Sequence, residues 1–572
     1  MTAGTAPTTG SAADTLTLRV LSALLREDVA GLRTASRLEQ RADGPWLVGR
    51  GLALPVRPDG FQCELAARLP LLEVGGVPHT DLDTVLAGLR DLAGTDPETR
   101  EGFAAFAAEC RQTLATMLLH ERELPSTHAA LADRHGPDPA SWTGPTAALA
   151  FDTLAAYQDH PVYPTARGRA GLTEADLRGY APECHPTFDL RWLVLPAGAL
   201  TVHGRAPLPA WWPTPEQLGL PELTGGHLTV PVHPLSVGAP LARALAEAGL
   251  TDRARLADRP YLAVLPTLSM RTVAVAADPL VHLKLPLATA TLGLRNRRTI
   301  KPGTLRDGAA GQRLLAAVIA REPRFAATVL LADEQCWAHA DHELLAVLLR
   351  RYPAAPQSVQ LPLAALPATA PSGRPVVREL ADRFYGGDPR ALFEALLDLL
   401  LDWQVTLFGH GIALESHQQN VSLLLDHDRG RTRLRLLLKD NDGLRVNLAR
   451  AELPFASSEF DDPRILVSDD RPLTDLFTTI TGHLCTAALA FHLDAHGLVP
   501  LDTSLGLLRE RLAAALDRLG PAAEPLRRDL LAADRLPVKA MVSAGSLYSK
   551  ARTGAADINK HYTTGPNYLA GR

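Results

Sequence analysis

A chain of 572 residues, 46% of them hydrophobic, can bury a large core, and its length suits two to four domains or one body with lobes. The net charge of -5, with Lys and Arg scattered as singles and pairs among Asp and Glu, argues against a nucleic-acid groove or a membrane-surface face, so any anion site must be local. Five widely spaced cysteines (Cys63, Cys110, Cys184, Cys336, Cys485), odd in number and without a CxxC pair, argue against a disulfide framework or a zinc site and fit a reducing cytoplasm.

In chain order, residues 1–14 predict a disordered tail, since they hold almost no large apolar side chain to offset ordering entropy. They lack a basic n-region and an apolar h-region, and no later apolar run approaches the roughly 20 residues of a membrane span. A cytoplasmic, non-exported protein is expected. Apolar spacings of three and four predict helices over Leu16 to Leu32, Thr80 to Leu92 and Glu98 to His120, making residues 15–150 a mainly helical domain. Between 185 and 300, short runs such as LRWLVLPAGALTV, GHLTVPVHP and LVHLKLPLAT are broken by Pro and Gly and predict a β-rich domain within 151–345. Helical patterns return at Gln312 to Ile319, Asp341 to Arg351 and Asp388 to Phe408. Two strands, VSLLLD and TRLRLLLKD, joined by the turn HDRG, and a helix-rich stretch from Leu473 to Leu531 complete a third domain, 346–572. The fold class is α+β.

The most informative chemistry lies in GIALESHQQN, where Glu415, His417, Gln418, Gln419 and Asn420 crowd the entry to a strand. The hairpin that follows carries Asn420 and Asp440, in KDNDG, to neighbouring positions, so that two oxygen ligands face one spot. A hard cation such as Mg²⁺ takes a few such ligands and completes its shell with water and phosphate oxygens. Protein kinases use a related layout. Here no Asp occupies the loop where a kinase keeps its base, which speaks for ATP and Mg²⁺ but against transfer of the terminal phosphate.

Upstream, LPTLSMRTV and HLKLPLATATLGLRNRR offer Ser269, Arg271, Thr272, Lys284 and Arg295. Strand alternation through 269–273 would place Ser269 and Arg271 on one face, where a guanidinium fork and an ammonium suit phosphate oxygens. An amphipathic strand with a solvated Arg shows the same pattern. In DHPVYPTARGRAG, two prolines three apart stiffen a segment holding His160, Tyr163, Arg167 and Arg169. A proline-rich surface loop would read the same way. His233, in PVHP, is expected to be structural.

Taken together and in order, HPVYPTARGRAG, PVHP, S-x-RT, the K-L strand followed by Thr and Arg, the G-x-x-x-E-x-H-x-QN cluster and the strand end KDND resemble the NRPS-independent siderophore (NIS) synthetases, the aerobactin-synthetase-like family. The likeness runs from about residue 150 to 570. It implies a three-part cupped hand of helical thumb, sheet-rich fingers and palm. It also implies an ATP- and Mg²⁺-dependent ligase that adenylates a citrate-like or other carboxylic acid, releases pyrophosphate, and passes the acyl group to an amine or hydroxyl acceptor in siderophore-type biosynthesis. By the same resemblance, Ser269, Arg271, Thr272 and Lys284 hold the triphosphate, and Arg295 bridges the α-phosphate and the substrate carboxylate. Glu415, Asn420 and Asp440 place Mg²⁺, with His417 and Gln419 beside the reacting carboxylate. His160 and Arg169 lie over the phosphates, and Lys539 contacts the acyl substrate. The partners implied are small molecules, with neither nucleic acid nor membrane, and a homodimer is a candidate assembly.

Departures from the family pattern are Tyr163 for its second His, Arg167 for its Lys, and Asn567-Tyr568 for Asn-Pro. They lie where substrates are expected to enter, and predict a shifted acyl substrate or acceptor with the nucleotide chemistry kept. Two other classes compete: a kinase-like small-molecule phosphotransferase, separable by its ADP product, and a non-catalytic relative that binds a nucleotide or a metal chelate.

Overall fold

The structure of the protein is a computed structural model that describes residues 10–204, 208–452, 455–553 and 561–570. Residues 1–9 of the expected tail lie outside it, and the remainder of that tail is ordered. Ser11 caps the helix Ala12–Arg26 through a reciprocal capping box with Asp14, so the helix begins four residues before the apolar pattern does.

The first domain is not helical throughout. Between the helices Ala12–Arg26 and Leu82–Ala93 lies a six-stranded antiparallel sheet spanning Arg37 to His79. Its strands are as short as three residues, and Leu, Arg and Pro fill them without clean alternation, so period-two reasoning had no purchase. The helix Pro97–His135 continues well past His120, through an internal Pro125.

A seven-stranded sheet forms the middle of the molecule, with Thr272–Val275, Asp278–Lys284 and Ala346–Arg351 side by side. The helix expected over Asp341 to Arg351 is therefore a strand: Ala346–Arg351 pairs antiparallel with neighbours on both sides, and that pairing outweighs the leucine spacing. This sheet has its own core, including Leu193, Val264, Val273, Leu283 and Leu349. Because Ala346–Arg351 belongs to it while Val329–Leu331 joins the next sheet, residue 345 is not a clean boundary.

The expected hairpin forms as read. Val421–Asp428 pairs with Arg431–Leu438 across the two-residue turn Arg429-Gly430, both at positive φ (49° and 77°), the conformation a tight twisted hairpin requires. Beneath it runs the helix Pro389–Gly409, buried along Leu392, Leu396, Leu400 and Trp403. The N-terminal helices and the C-terminal part share one continuous core, from Ala12 to Leu569. Among the described residues one helical stretch, Arg471–Ala495, is long and apolar enough to cross a membrane, but 78% of its apolar window is buried inside the protein.

Candidate active site

Three groups of elements enclose a cavity of about 1100 Å³. The N-terminal helices contribute Met117 and His120, the seven-stranded sheet and its loops contribute Ser269, Arg271, Thr272, Lys284 and Arg298, and the C-terminal part contributes Glu415, Asn420, Asp440 and Lys539. Every residue to which the resemblance gives a catalytic, phosphate-binding or metal-binding role lines this cavity except Arg295.

Backbone pairing sets the cationic wall. Thr272 stands opposite Lys284 in the ladder, and the next strand over places Arg350 opposite His282. The strand begins only at Thr272, so alternation does not govern residues 269–271. Thr267 to Met270 is instead a tight turn with Met270 at φ 61°, and the Ser269 hydroxyl accepts from the Thr272 N–H at 3.2 Å. The turn, not a strand face, brings Ser269 and Arg271 to the same cavity. Arg271 is anchored by donating to the Thr299 carbonyl at 2.6 Å.

Facing these groups is Asp440, two residues past the hairpin ladder and in the left-handed region at φ 55°. Its Oδ1 accepts from Lys284 Nζ and from Arg350 Nη2, each at 2.6 Å. Buried Glu334 closes the network by accepting from Arg350 Nε at 2.6 Å and from the Asp440 N–H at 2.9 Å. Burial alone would raise the Asp440 carboxyl, but Arg350, then Lys284 and Arg271, hold it well below the usual carboxylate range. Arg350 and Glu334 were not foreseen; nothing local to their strands marks them, since their partners lie 90 and 106 residues away.

Arg295 is exposed and donates through Nη1 to the Tyr548 carbonyl, outside the cavity. Arg298, three residues on in the same basic run, occupies the wall instead. Enclosure by protein, reinforced by the charge of Arg271, pushes its pKa down to about 9, so it remains a cation at neutral pH but a poorly neutralised one. Arg271 is lowered as well, again chiefly by burial. Such a cluster calls for an anion.

The ESHQQN loop forms the opposite wall. His417 accepts the Gln419 N–H on Nδ1 at 3.3 Å, and its carbonyl accepts the Asn420 N–H at 2.8 Å. Gln418 turns away and donates to the Leu484 carbonyl, tying the loop to the π-helical stretch Phe477–Ala487. Glu415 packs against Gly443, where a Cβ would come within 2.6 Å of Glu415 Oε2; only glycine leaves the carboxylate its place. Lys539 Nζ lies 3.5 Å from Glu415 Oε1. His160 accepts the Val162 and Tyr163 N–H groups on Nδ1, at 3.3 and 3.0 Å, so the imidazole proton resides on Nε2. Burial, with His417 and Arg19 adding repulsion, pushes its pKa down to about 3. His160 is therefore a neutral donor. Arg169 pairs with buried Glu183 at 2.9 Å, and Arg167 with Asp159 at 2.7 Å.

Two predicted specificity positions are structural. Tyr163 is fully buried, does not line the cavity, and donates to Glu109 Oε1 at 3.0 Å. Asn567 donates to the Leu530 and Ala533 carbonyls at 2.7 Å, while the Tyr568 hydroxyl meets His483 Nδ1 at 2.9 Å. His233 is structural as expected, wedged between Tyr180 and Phe188.

The oxygen donors Glu415, Asn420, Asp440 and Asp442 share the cavity, and both cations on Asp440 use the same oxygen, Oδ1. Among the described residues no group of three or more His, Cys, Asp or Glu could hold a metal by itself. This donor chemistry suits Mg²⁺ brought with phosphate oxygens, which needs only one or two protein ligands, and does not suit a metal centre made by protein alone.

Residues 147–368 match the IucA / IucC family, and residues 390–550 match a family described as ferric iron reductase FhuF-like transporter. The second segment holds a single cysteine, buried Cys485, and so lacks the thiolates of an iron–sulfur centre. Staphyloferrin B synthase of Staphylococcus aureus is 24% identical over 348 residues, 56% of this chain, and the match spans 58% of that relative's length. Among solved structures, a petrobactin biosynthesis protein of Bacillus anthracis superimposes with a TM-score of 0.72 at 17% identity, over 97% of this chain and 95% of that one. An ATP-bound aerobactin synthetase of Klebsiella pneumoniae gives a TM-score of 0.68 at 19% identity, over 98% and 100%.

Proposed function

Because this chain belongs to the NIS synthetase family, we propose that it is a ligase of siderophore-type biosynthesis that activates a carboxylic acid with ATP and joins it to an amine or hydroxyl acceptor. One observation carries the reading: three cations, Lys284, Arg271 and Arg298, converge with Asp440, Asn420 and Glu415 on one cavity large enough for a nucleotide and a small acid together.

In this reading the substrate carboxylate oxygen forms a bond to the α-phosphorus of ATP, the α–β anhydride bond breaks, and pyrophosphate leaves. The acceptor's nucleophilic atom then bonds to the acyl carbon, AMP departs with the former carboxylate oxygen, and the acceptor's proton passes to solvent. No side-chain nucleophile is required. The obstacle is electrostatic, since two anions must meet, and fixed cations in an enclosed site lower that barrier most effectively. Lys284, Arg271 and the Ser269–Thr272 turn hold phosphate oxygens. Arg298 takes the role expected of Arg295 between phosphate and carboxylate. His160, neutral and donating from Nε2, contributes a hydrogen bond without competing charge. Glu415, Asn420 and Asp440 would hold Mg²⁺, which neutralises phosphate charge when bound. His417 and Gln419 line the reacting side, and Lys539 meets the acyl substrate.

A panel of di- and tricarboxylic acids supplied with ATP and Mg²⁺ tests this, with nucleotide products resolved and hydroxylamine trapping the activated acyl group. AMP and a hydroxamate formed only with a suitable acid are expected. ADP as the product would refute the ligase reading in favour of a phosphotransferase.

A further inference from the structure

Lys539 ends the strand Arg535–Lys539, and the chain beyond it forms a strap pressed against the N-terminal helices. Among the described residues of this segment, the side chains of Lys539 and Met541 reach the cavity. What fixes the strap is a row of carboxylates from the distant N-terminal part. Glu27 Oε1 accepts the Val542 N–H at 2.9 Å and its Oε2 accepts the Ser543 N–H at 2.7 Å. Glu109 Oε2 accepts the Ser546 hydroxyl at 2.6 Å. Glu98 Oε1 accepts the Ser549 N–H at 2.8 Å. The backbones touch too, for a Cβ on Gly102 would collide with the Leu547 carbonyl.

Both Glu27 and Glu109 are buried, and burial raises both carboxyls, a standing cost that an ordinary packing contact would not carry. Glu27 engages both oxygens with consecutive backbone N–H groups, an arrangement that fixes the direction of the chain as well as its position. Those amides lie three and four residues beyond Lys539. At the other end, Glu64 pairs with Arg535 at 2.6 Å. Lys539 is thus held from both sides, while its ammonium pairs with Glu415 at 3.5 Å within the cavity and can meet an incoming anion.

We propose that Glu27, with Glu109 in support, is a positioning residue for ligation: it clasps the strap so that Lys539 is aimed at the acid substrate. The inference rests on the ligase reading above. It makes the N-terminal part of the chain a component of the acid-activating apparatus, through Glu27, more than 500 positions from the two amides it holds.

A double-mutant cycle tests the clasp. Glu27→Gln keeps the size and one acceptor oxygen but loses one of the two N–H bonds. It should lower kcat/KM for the acid about tenfold, the effect of some 1.4 kcal/mol, while KM for ATP stays within about twofold. In a Lys539→Ala background the same change should cost less than about twofold, because residues acting through one group are not additive. An equal loss in both backgrounds, or an equal rise in KM for ATP, would make Glu27 merely structural and overturn the proposal. Should Glu27→Gln fail to fold, Ser546→Ala, which removes one hydroxyl from Glu109, enters the same cycle. A wild-type protein that releases no AMP with any acid would refute the ligase reading and the positioning role with it; additive losses in an active protein would refute the positioning role alone.

Discussion

Exchanging the two arginines of one short run separates the geometry of the cavity from the family pattern. Arg298 lines the cavity beside Arg271, whereas Arg295 is exposed and bound to a backbone carbonyl. A charge-assisted hydrogen bond to phosphate or carboxylate contributes about 1.5–3 kcal/mol, so Arg298→Ala should lower kcat/KM roughly 10- to 150-fold. Arg298→Lys keeps the charge but loses the planar fork, and should recover only part of the loss. Arg295→Ala should stay within about twofold, because the change is exposed and outside the cavity. Thermal unfolding supplies the control. Burial and Arg271 already disfavour the Arg298 cation, so its removal should leave Tm unchanged or raised while activity falls. Steady-state AMP release for the three variants, alongside their melting curves, decides the matter. Equal losses for Arg295→Ala and Arg298→Ala, or an Arg298→Ala loss that tracks a fall in Tm, would refute the reasoning.

Three more outcomes follow from the same geometry. Tyr163→Phe deletes a buried hydrogen bond to Glu109 and should cost about 1–3 kcal/mol of stability in denaturant titration, with the ranking of accepted acids unchanged; a new acid preference would return Tyr163 to the substrate site. Gly443→Ala sets a methyl against Glu415, and should reduce turnover at least about tenfold while circular dichroism stays native. Burial holds His233 near 3 and His483 near 4, so folded protein keeps both neutral at pH 5 while the unfolded chain, with ordinary values near 6.5, takes up the protons. Each therefore removes about 1.4 kcal/mol per pH unit below 6.5. Tm should fall steadily from pH 7 to pH 5, and a Tm that rises on acidification would contradict the assignment.

What could be read from the sequence was whatever depends on neighbours in the chain. The hairpin Val421–Asp428 and Arg431–Leu438 was legible because two short apolar runs and the turn HDRG between them are local signals, and Asn420 and Asp440 came with it. Elements decided by distant partners were not. Ala346–Arg351 carries leucines at helical spacing, yet strands from 278–284 and 333–339 claim both its edges. Arg295 and Arg298 stand in one run, and only the loop's path shows which of them faces inward. Tyr163 looked like a substituted site residue because its sequence neighbours are site residues, but Glu109 and Ser546 draw it into the interior. Glu334, Arg350 and Glu27 left no local trace, since each acts on groups far along the chain.

In the proposed reaction, Asp440, Arg298 and their neighbours bring a carboxylate to the innermost phosphorus of ATP. Exchange of labelled pyrophosphate into ATP measures that step alone, without an acceptor. Wild-type protein should exchange label only when a suitable acid and Mg²⁺ are present, and Asp440→Ala should abolish it. Label entering ATP without any acid, or undiminished exchange in Asp440→Ala, would contradict the account.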